Sequence, residues 1–292
     1  MPMDAPRLSV IVVSHDSGAP LRDCVERVLR QAPGPGLAAP AALELLLVDN
    51  ASRDGSLAGL PDDPRLRLVR NPDNRGFAAA CNQGAALARG DRLLFLNPDC
   101  LLPPGALARL LADLDAAPGI GLLGALLTDA DGRPQAPSRR PLPTLRGLLR
   151  RGDGHLGHDP ASGLERVEAT SGALMLLPRS VFAALGGFDE GYVLHCEDLD
   201  LCRRVRAAGH EVAIDPALEV MHLKGVSSRA RPLWVEWQKH RGMLRYLRKF
   251  ECRGGAVALY PLLWLGVWLR WPLAALRAWW RARRHAPLPP PA

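Results

Sequence analysis

The stretch FLNPDCLL (95–102) starts as an apolar, strand-like run. It breaks at Asn97-Pro98-Asp99 and then returns to apolar residues. A carboxylate at a strand end, with an amide two residues earlier, suits a divalent cation held against a diphosphate. Mg2+ and Mn2+ take a few protein oxygens and complete their shell with substrate phosphates. Such an ion acts as a Lewis acid toward a leaving nucleoside diphosphate. Asp49 closes LELLLVDN (43–50) and suits a hydrogen bond to a base or ribose edge. Arg75, in the Gly-flanked loop NPDNRGF, suits a phosphate oxygen. Asp198 falls with Glu197 in the first turn of a predicted helix, where the local dipole favours an ionised carboxylate. In that state it can take the proton of an attacking hydroxyl. His222, in EVMHLKG, follows a predicted strand and is a candidate second contact to metal or phosphate. Each feature also has a plainer reading. Asp, Asn and Pro favour turns, acids complement helix N-termini, and a lone His is commonly structural.

The elements that must position these residues alternate. RLSVIVVSH (7–15), LELLLVDN, RLRLVR (65–70) and RLLFLN (92–97) read as strands, the apolar ones buried on both faces. Leu21–Arg30, Phe77–Arg89 with Gly90 as its stop, and Pro104–Ala116 read as helices. This alternation predicts a mostly parallel α/β sheet, in which ligands gather at the carboxyl ends of strands. His15-Asp16, Asp49-Asn50 and Asn97-Pro98-Asp99 all fall at such ends. Residues 128–165 are rich in Arg, Pro, Gly and Asp without a period, and are expected to form a flexible insertion. ATSGALMLLP (169–178) resumes structure, followed by helices at 179–185 and from Glu197 to Gly209, the strand HEVAI, and a basic amphipathic helix over Trp234–Phe250.

The 292 residues are 48% hydrophobic with a formal charge of +7. The balance points to anionic partners: nucleic acid, phosphorylated small molecules or acidic lipid. The six cysteines have no C-x-x-C spacing and read as reduced, packed thiols. The N-terminus shows no signal-peptide pattern, so a cytoplasmic location is expected. The uncharged run Ala256–Leu269 is 14 residues, short of the ~20 of a spanning helix. It sits among five Trp and five Arg between positions 264 and 284, which suits a helix lying in the headgroup region. A core helix with a solvated basic tail is the alternative. No P-loop, no G-x-G-x-x-G after the first strand and no G-x-S-x-G elbow is present.

In order, SVIVVSHDSGAPLRDCVERVL, LELLLVDNASRDGS, NPDNRGFAAACNQGAALARGDRLLFLNPDC, SGALMLLPRSVFAALGGFDEGYVLHCEDLDLCRRVRAAGHEV and MHLKGVSS resemble the motifs of family 2 glycosyltransferases, most closely the bacterial rhamnosyltransferase-like branch. The resemblance covers about residues 7–228. It implies a GT-A fold over 1–230 and inverting transfer of one sugar from a nucleotide-sugar; the Trp- and Arg-rich composition makes 231–292 a helical, membrane-surface segment. Asn97-Pro98-Asp99 is similar to the family's D-x-D element with its first acid replaced. The resemblance makes Asp198 the general base and Asp99 and His222 the contacts to Mg2+ or Mn2+. It places Ser14, His15, Asp49, Asn50, Arg75, Asn97 and Glu197 around the donor. His15 stands where the family commonly has an aromatic. The Q-x-x-R-W element of processive synthases is absent. The expected partners are a dTDP-rhamnose-like donor, a glycan or polyprenyl-linked acceptor and the anionic inner face of the membrane, with no nucleic acid. Two rivals are a sugar nucleotidyltransferase, which would want a Gly-rich basic loop after the first strand, and a non-catalytic membrane-attached binding protein.

Overall fold

The structure, a computed structural model, describes residues 6–31, 42–145, 155–158, 163–223 and 231–284. The Pro/Gly loop after Gln31, the middle of the expected insertion and the tail after Arg284 lie outside the described residues. Strands β1 (Leu8–Ser14), β2 (Leu43–Asp49), β3 (Leu66–Arg70) and β4 (Arg92–Leu96) form a parallel half-sheet in the order β3-β2-β1-β4. Every residue of β1 and β2 is buried, which is why their sequences do not alternate. Helices α1 (Pro20–Leu29) and α2 (Phe77–Leu87) cover opposite faces. Leu8, Val10 and Val12 pack with α1; Ile11 and Val13 pack with α2, the period-two split of a strand between two cores.

The sheet continues past β4, but as a mixed sheet. A two-residue strand β5 (Cys100–Leu101) follows β4, then α3 (Ala106–Ala116), β6 (Ile120–Thr128), β7 (His155–His158), β8 (Glu165–Val167) and β9 (Leu174–Pro178). The chain goes on through α4 (Arg179–Ala184), α5 (Glu197–Ala207), β10 (Glu211–His222), α6 (Pro232–Phe250) and α7 (Tyr260–Arg284). Strand β9 enters antiparallel between β4 and β6, and β10 runs parallel to β6. The parallel reading holds for the N-terminal half; beyond it β9 is antiparallel, while β6 and β10 again run parallel to each other. ALMLLP is apolar enough to be an inner strand, and an apolar run carries no sign of direction.

The strand read as HEVAI is the start of a 12-residue β10 that ends at His222. Its register against β6 shifts between Asp215 and Glu219. There Asp215 accepts from Arg109 and from the Ala217 amide. Beyond the shift, Leu218, Val220 and His222 are buried while Glu219 and Met221 are exposed.

Helix α6 packs into the same body as the sheet. Tyr246 is fully buried in the same core as α2 and α5. Lys249 pairs with Asp200, and Arg203 with Glu251. Gly242 meets the 195–196 turn so closely that a Cβ there would lie 2.9 Å from the His195 carbonyl oxygen. Helix α7 packs on α6 through Trp237, which lies 4.4 Å from Trp268 between ring centroids.

Candidate active site

Three polar corners form along the carboxyl edge of the parallel strands. At the first, β1 and β2 end in register at Ser14 and Asp49. Asp49 is buried, and its Oδ1 accepts from the Ser52 amide at 3.1 Å. His15 is half-buried with Nδ1 2.9 Å from the Asn50 carbonyl. Arg75 is exposed, and its guanidinium has no partner among the described residues. Two expected donor contacts have other work. Ser14 is fully buried with its hydroxyl on Ser17. The Asn50 amide donates to Asn74 and the Gly76 carbonyl and accepts from Asn71 and the Arg75 amide. It therefore pins the 71–76 loop that presents Arg75.

The second corner is Asp99. Strand β5, just after it, pairs antiparallel with the end of β10, setting His222 opposite Cys100. Asp99 Oδ1 lies 3.3 Å from His222 Nε2, with both residues buried. Ligand atoms of Asp99, Cys100 and His222 all lie within 4.8 Å of one another. Gln135, which sequence reasoning missed, fixes the imidazole. Its amide nitrogen donates to the Thr128 and His222 carbonyls, so its oxygen is left as the acceptor for His222 Nδ1 at 3.2 Å. With Nδ1 held by Gln135, Nε2 is the ring nitrogen turned toward Asp99 Oδ1. The corner thus brings one oxygen and one nitrogen donor together and suits a divalent ion that completes its shell with phosphate oxygens. Cys100 is a weaker ligand: burial, then the Asp99 charge, push its thiol well above the usual range, and its sulfur sits 3.4 Å from the Ala173 carbonyl. Asn97 holds this turn by its backbone, with its amide on the Ala173 carbonyl at 2.8 Å.

The third corner is Asp198, in the first turn of α5 as read from the sequence. Its Oδ2 accepts from Arg140 and, at 3.0 Å, from the Gly172 amide; its Oδ1 accepts from the Leu199 amide at 2.8 Å. Burial alone would push this carboxyl up. The Arg140 guanidinium, helped by the two amides, outweighs burial and holds it below the usual aspartate range. Glu197 beside it has the opposite fate: burial, then the Asp198 charge, push its carboxyl up to about 8. Its Oε2 has no hydrogen-bond partner among the described residues. The turn ahead of α5 is strained, with His195 and Cys196 at φ of 67° and 70°.

Arg140 comes from the segment expected to be a flexible insertion. Its described start carries fixed structure: Arg140 exchanges backbone hydrogen bonds with Ala169, and its guanidinium also donates to the Thr170 carbonyl at 2.8 Å. Residues 170–173 thus tie two corners together, with Gly172 on Asp198 and Ala173 on Asn97 and Cys100. No periodicity announces Arg140 or Gln135, because each is chosen for one distant partner rather than for a face.

Residues 9–168 match the model of glycosyl transferase family 2. The chain belongs to that family. It is 32% identical over 253 residues to N-acetylglucosaminyl-diphospho-decaprenol L-rhamnosyltransferase of Mycobacterium tuberculosis, covering 77% of this chain and 78% of that one. It is 28% identical to the O-antigen biosynthesis protein RfbC of Myxococcus xanthus over 82% of this chain and 19% of the relative. Among solved structures, the mannosyltransferase PcManGT from Pyrobaculum calidifontis, in complex with GDP-Man and Mn2+, superposes with a TM-score of 0.60 at 22% identity, over 98% of this chain and 77% of that one. GalNAc-T7 with UDP, GalNAc and Mn2+ superposes equally well, at 20% identity over 84% of this chain and 48% of that chain. The fold is GT-A and the protein is a glycosyltransferase, which removes the nucleotidyltransferase rival. Both solved neighbours hold Mn2+.

Proposed function

We propose that the protein transfers one L-rhamnosyl unit, with inversion, from dTDP-rhamnose to a polyprenyl-diphosphate-linked saccharide at the cytoplasmic face of the membrane. The observation that carries the chemistry is Asp198: a buried carboxylate kept ionised by Arg140, with two donors on Oδ2 and one on Oδ1. The less occupied Oδ1 accepts the proton of the acceptor hydroxyl as that oxygen attacks the anomeric carbon opposite the leaving diphosphate. Arg140 and Gly172 keep the carboxylate from turning. Asp49 and His15 receive the nucleoside, and Arg75, free of an internal partner, meets the diphosphate. Asp99 and His222 would hold a divalent cation, which when bound supplies Lewis-acid stabilisation of the departing diphosphate. The rhamnosyl and lipid-linked parts of the reading rest on the Mycobacterium relative.

The stretch Gly254–Trp280 is long and apolar enough to cross a membrane by length and composition. Two features favour a helix lying flat. α7 packs on α6, so a spanning α7 would draw Arg241, Arg245 and Arg248 of α6 toward the hydrocarbon, at a cost of about 3 kcal/mol for each charge. The outward face of α7 is a leucine stripe, Leu262, Leu265, Leu269, Leu273 and Leu276, all half or more exposed by area or close to it, as suits burial at the boundary of headgroups and chains. The deciding experiment offers purified protein dTDP-rhamnose, UDP-sugars and GDP-sugars with a polyprenyl-diphospho-N-acetylglucosamine acceptor. Release of nucleoside diphosphate and a β-configured product only from a UDP- or GDP-sugar would replace the rhamnosyl reading. No release from any donor would sink the transfer itself.

A further inference from the structure

A groove of about 1050 Å³ lies between α6 and α7, lined by none of the residues of the three polar corners. One wall is the exposed stripe of α6 that carries Arg241, Arg245 and Arg248. The other wall is aromatic: Tyr260, Trp264 and Trp268 of α7. Four cations, counting Lys249, face a single lining carboxylate, Asp189. Arg245 and Lys249 both bind that carboxylate at 2.7 Å. Arg241 and Arg248 have no carboxylate partner among the described residues, and Arg248 instead lies over the Tyr260 ring, 5.9 Å from its centroid.

We infer that this groove is a binding site for the phosphate headgroup of an anionic membrane phospholipid. The inference rests on the membrane reading above and names the residues that would make it selective for charge. An uncharged surface would be served by the leucine stripe alone. A site for phosphate needs unpaired guanidinium groups with geometry for its oxygens, and Arg241 and Arg248 supply them. The indole and phenol rings flank the headgroup level, where amphipathic rings settle. Leu262, Leu265 and Leu269, next along α7 on its outer face, give the acyl chains of the same lipid a surface to lie on. About a quarter turn around α6 from the arginine stripe, Gly242 touches the His195–Cys196 turn that precedes Asp198.

The test compares wild type with Arg241→Glu/Arg248→Glu, and with the milder Arg241→Gln/Arg248→Gln should charge reversal impair folding. Neither residue is placed in the catalytic machinery, so hydrolysis of the nucleotide-sugar without acceptor should be unchanged, which also reports an intact fold. Flotation with phosphatidylcholine vesicles, with and without phosphatidylglycerol, reads binding. Wild type should prefer the anionic vesicles, and the reversal should lower that partitioning by roughly tenfold or more, since each basic residue near such a surface contributes about one factor of five. Binding to plain phosphatidylcholine should stay the same. Equal binding of wild type and both variants to anionic vesicles overturns the groove and leaves membrane association standing. Wild type that binds no vesicle overturns both. Variants that float normally but show a raised KM for the lipid-linked acceptor, in detergent without phospholipid, reassign the groove to the acceptor and overturn the proposal as stated.

Discussion

The Asp99 and Asp198 corners use the same side chain in opposite electrostatic settings. Asp99 faces an imidazole nitrogen of His222, whose ring Gln135 orients. Its charge is left open to an added cation. Asp198 faces a guanidinium that the chain itself provides. Its charge is fixed in place, and only its proton affinity is left for chemistry. The settings of the two aspartates are decided by Gln135 and Arg140, which lie five residues apart in one aperiodic segment.

The contrast breaks most visibly at Asp198. Asp198→Asn keeps the shape and removes the proton acceptor, so turnover should fall by ~10²-fold or more while donor binding, followed by thermal shift, persists. Near-normal turnover would return Asp198 to a helix-capping role. The Asp99 side is sharpened by Gln135→Leu, which frees the imidazole without touching a metal contact. The concentration of Mn2+ giving half-maximal activity should rise on the order of 10-fold, with kcat at saturating metal little changed; an unmoved metal titration would show that Gln135 does not orient His222 for an ion.

Arg140→Gln tests the charge assigned to the base. The Asp198 carboxyl is held low in the folded protein, so the pair contributes stability above the usual aspartate range and loses it as pH falls through the folded value. Without Arg140, burial prevails and the carboxyl rises. The acid limb of the kcat/KM profile should move to higher pH by roughly 1–3 units, and Arg140→Lys should bring much of it back. A profile identical to wild type would reduce Arg140 to packing. The smallest effect is expected at Glu197. Its carboxyl is raised, so the protein is favoured with it protonated; that stability is full below the unfolded value and is lost as pH rises through about 8. Glu197→Gln should leave activity at pH 7 nearly unaltered and lessen the fall in Tm between pH 7 and pH 9. A parallel fall in both proteins would mean that Glu197 is ionised throughout.

The contrast also marks what the sequence made legible. Buried strands such as VIVV and LLLV declare themselves by composition, and the acids that end them stand out because nothing else polar is near. Asp198 was placed by α5's own periodicity, since Leu201, Val205 and the Gly209 stop are local signals. Arg140 was not, because an arginine in a Pro- and Gly-rich stretch looks solvated until Ala169 pairs with its backbone. Asn50 shows a related limit: an amide beside an acid at a strand end reads as a ligand contact, and nothing local announces its four hydrogen bonds to the 71–76 loop. The sequence predicts a helix over Trp234–Phe250, but its amphipathic pattern does not say that its apolar face meets the sheet's own core rather than lipid.

The register shift in β10 turns chain length into a specification. Before Asp215 the strand is buried on both sides, and a slip of one position would change little about its polarity. After Glu219 odd and even positions part company, and His222 belongs to the inward set with Leu218 and Val220. Losing one residue at Pro216 or Ala217 would swap the two sets, turning Met221 inward and the imidazole out to solvent. The base corner, upstream of the change, would be untouched. Among chains built on this plan, length differences should therefore be tolerated between Gly209 and His222 only as compensated pairs.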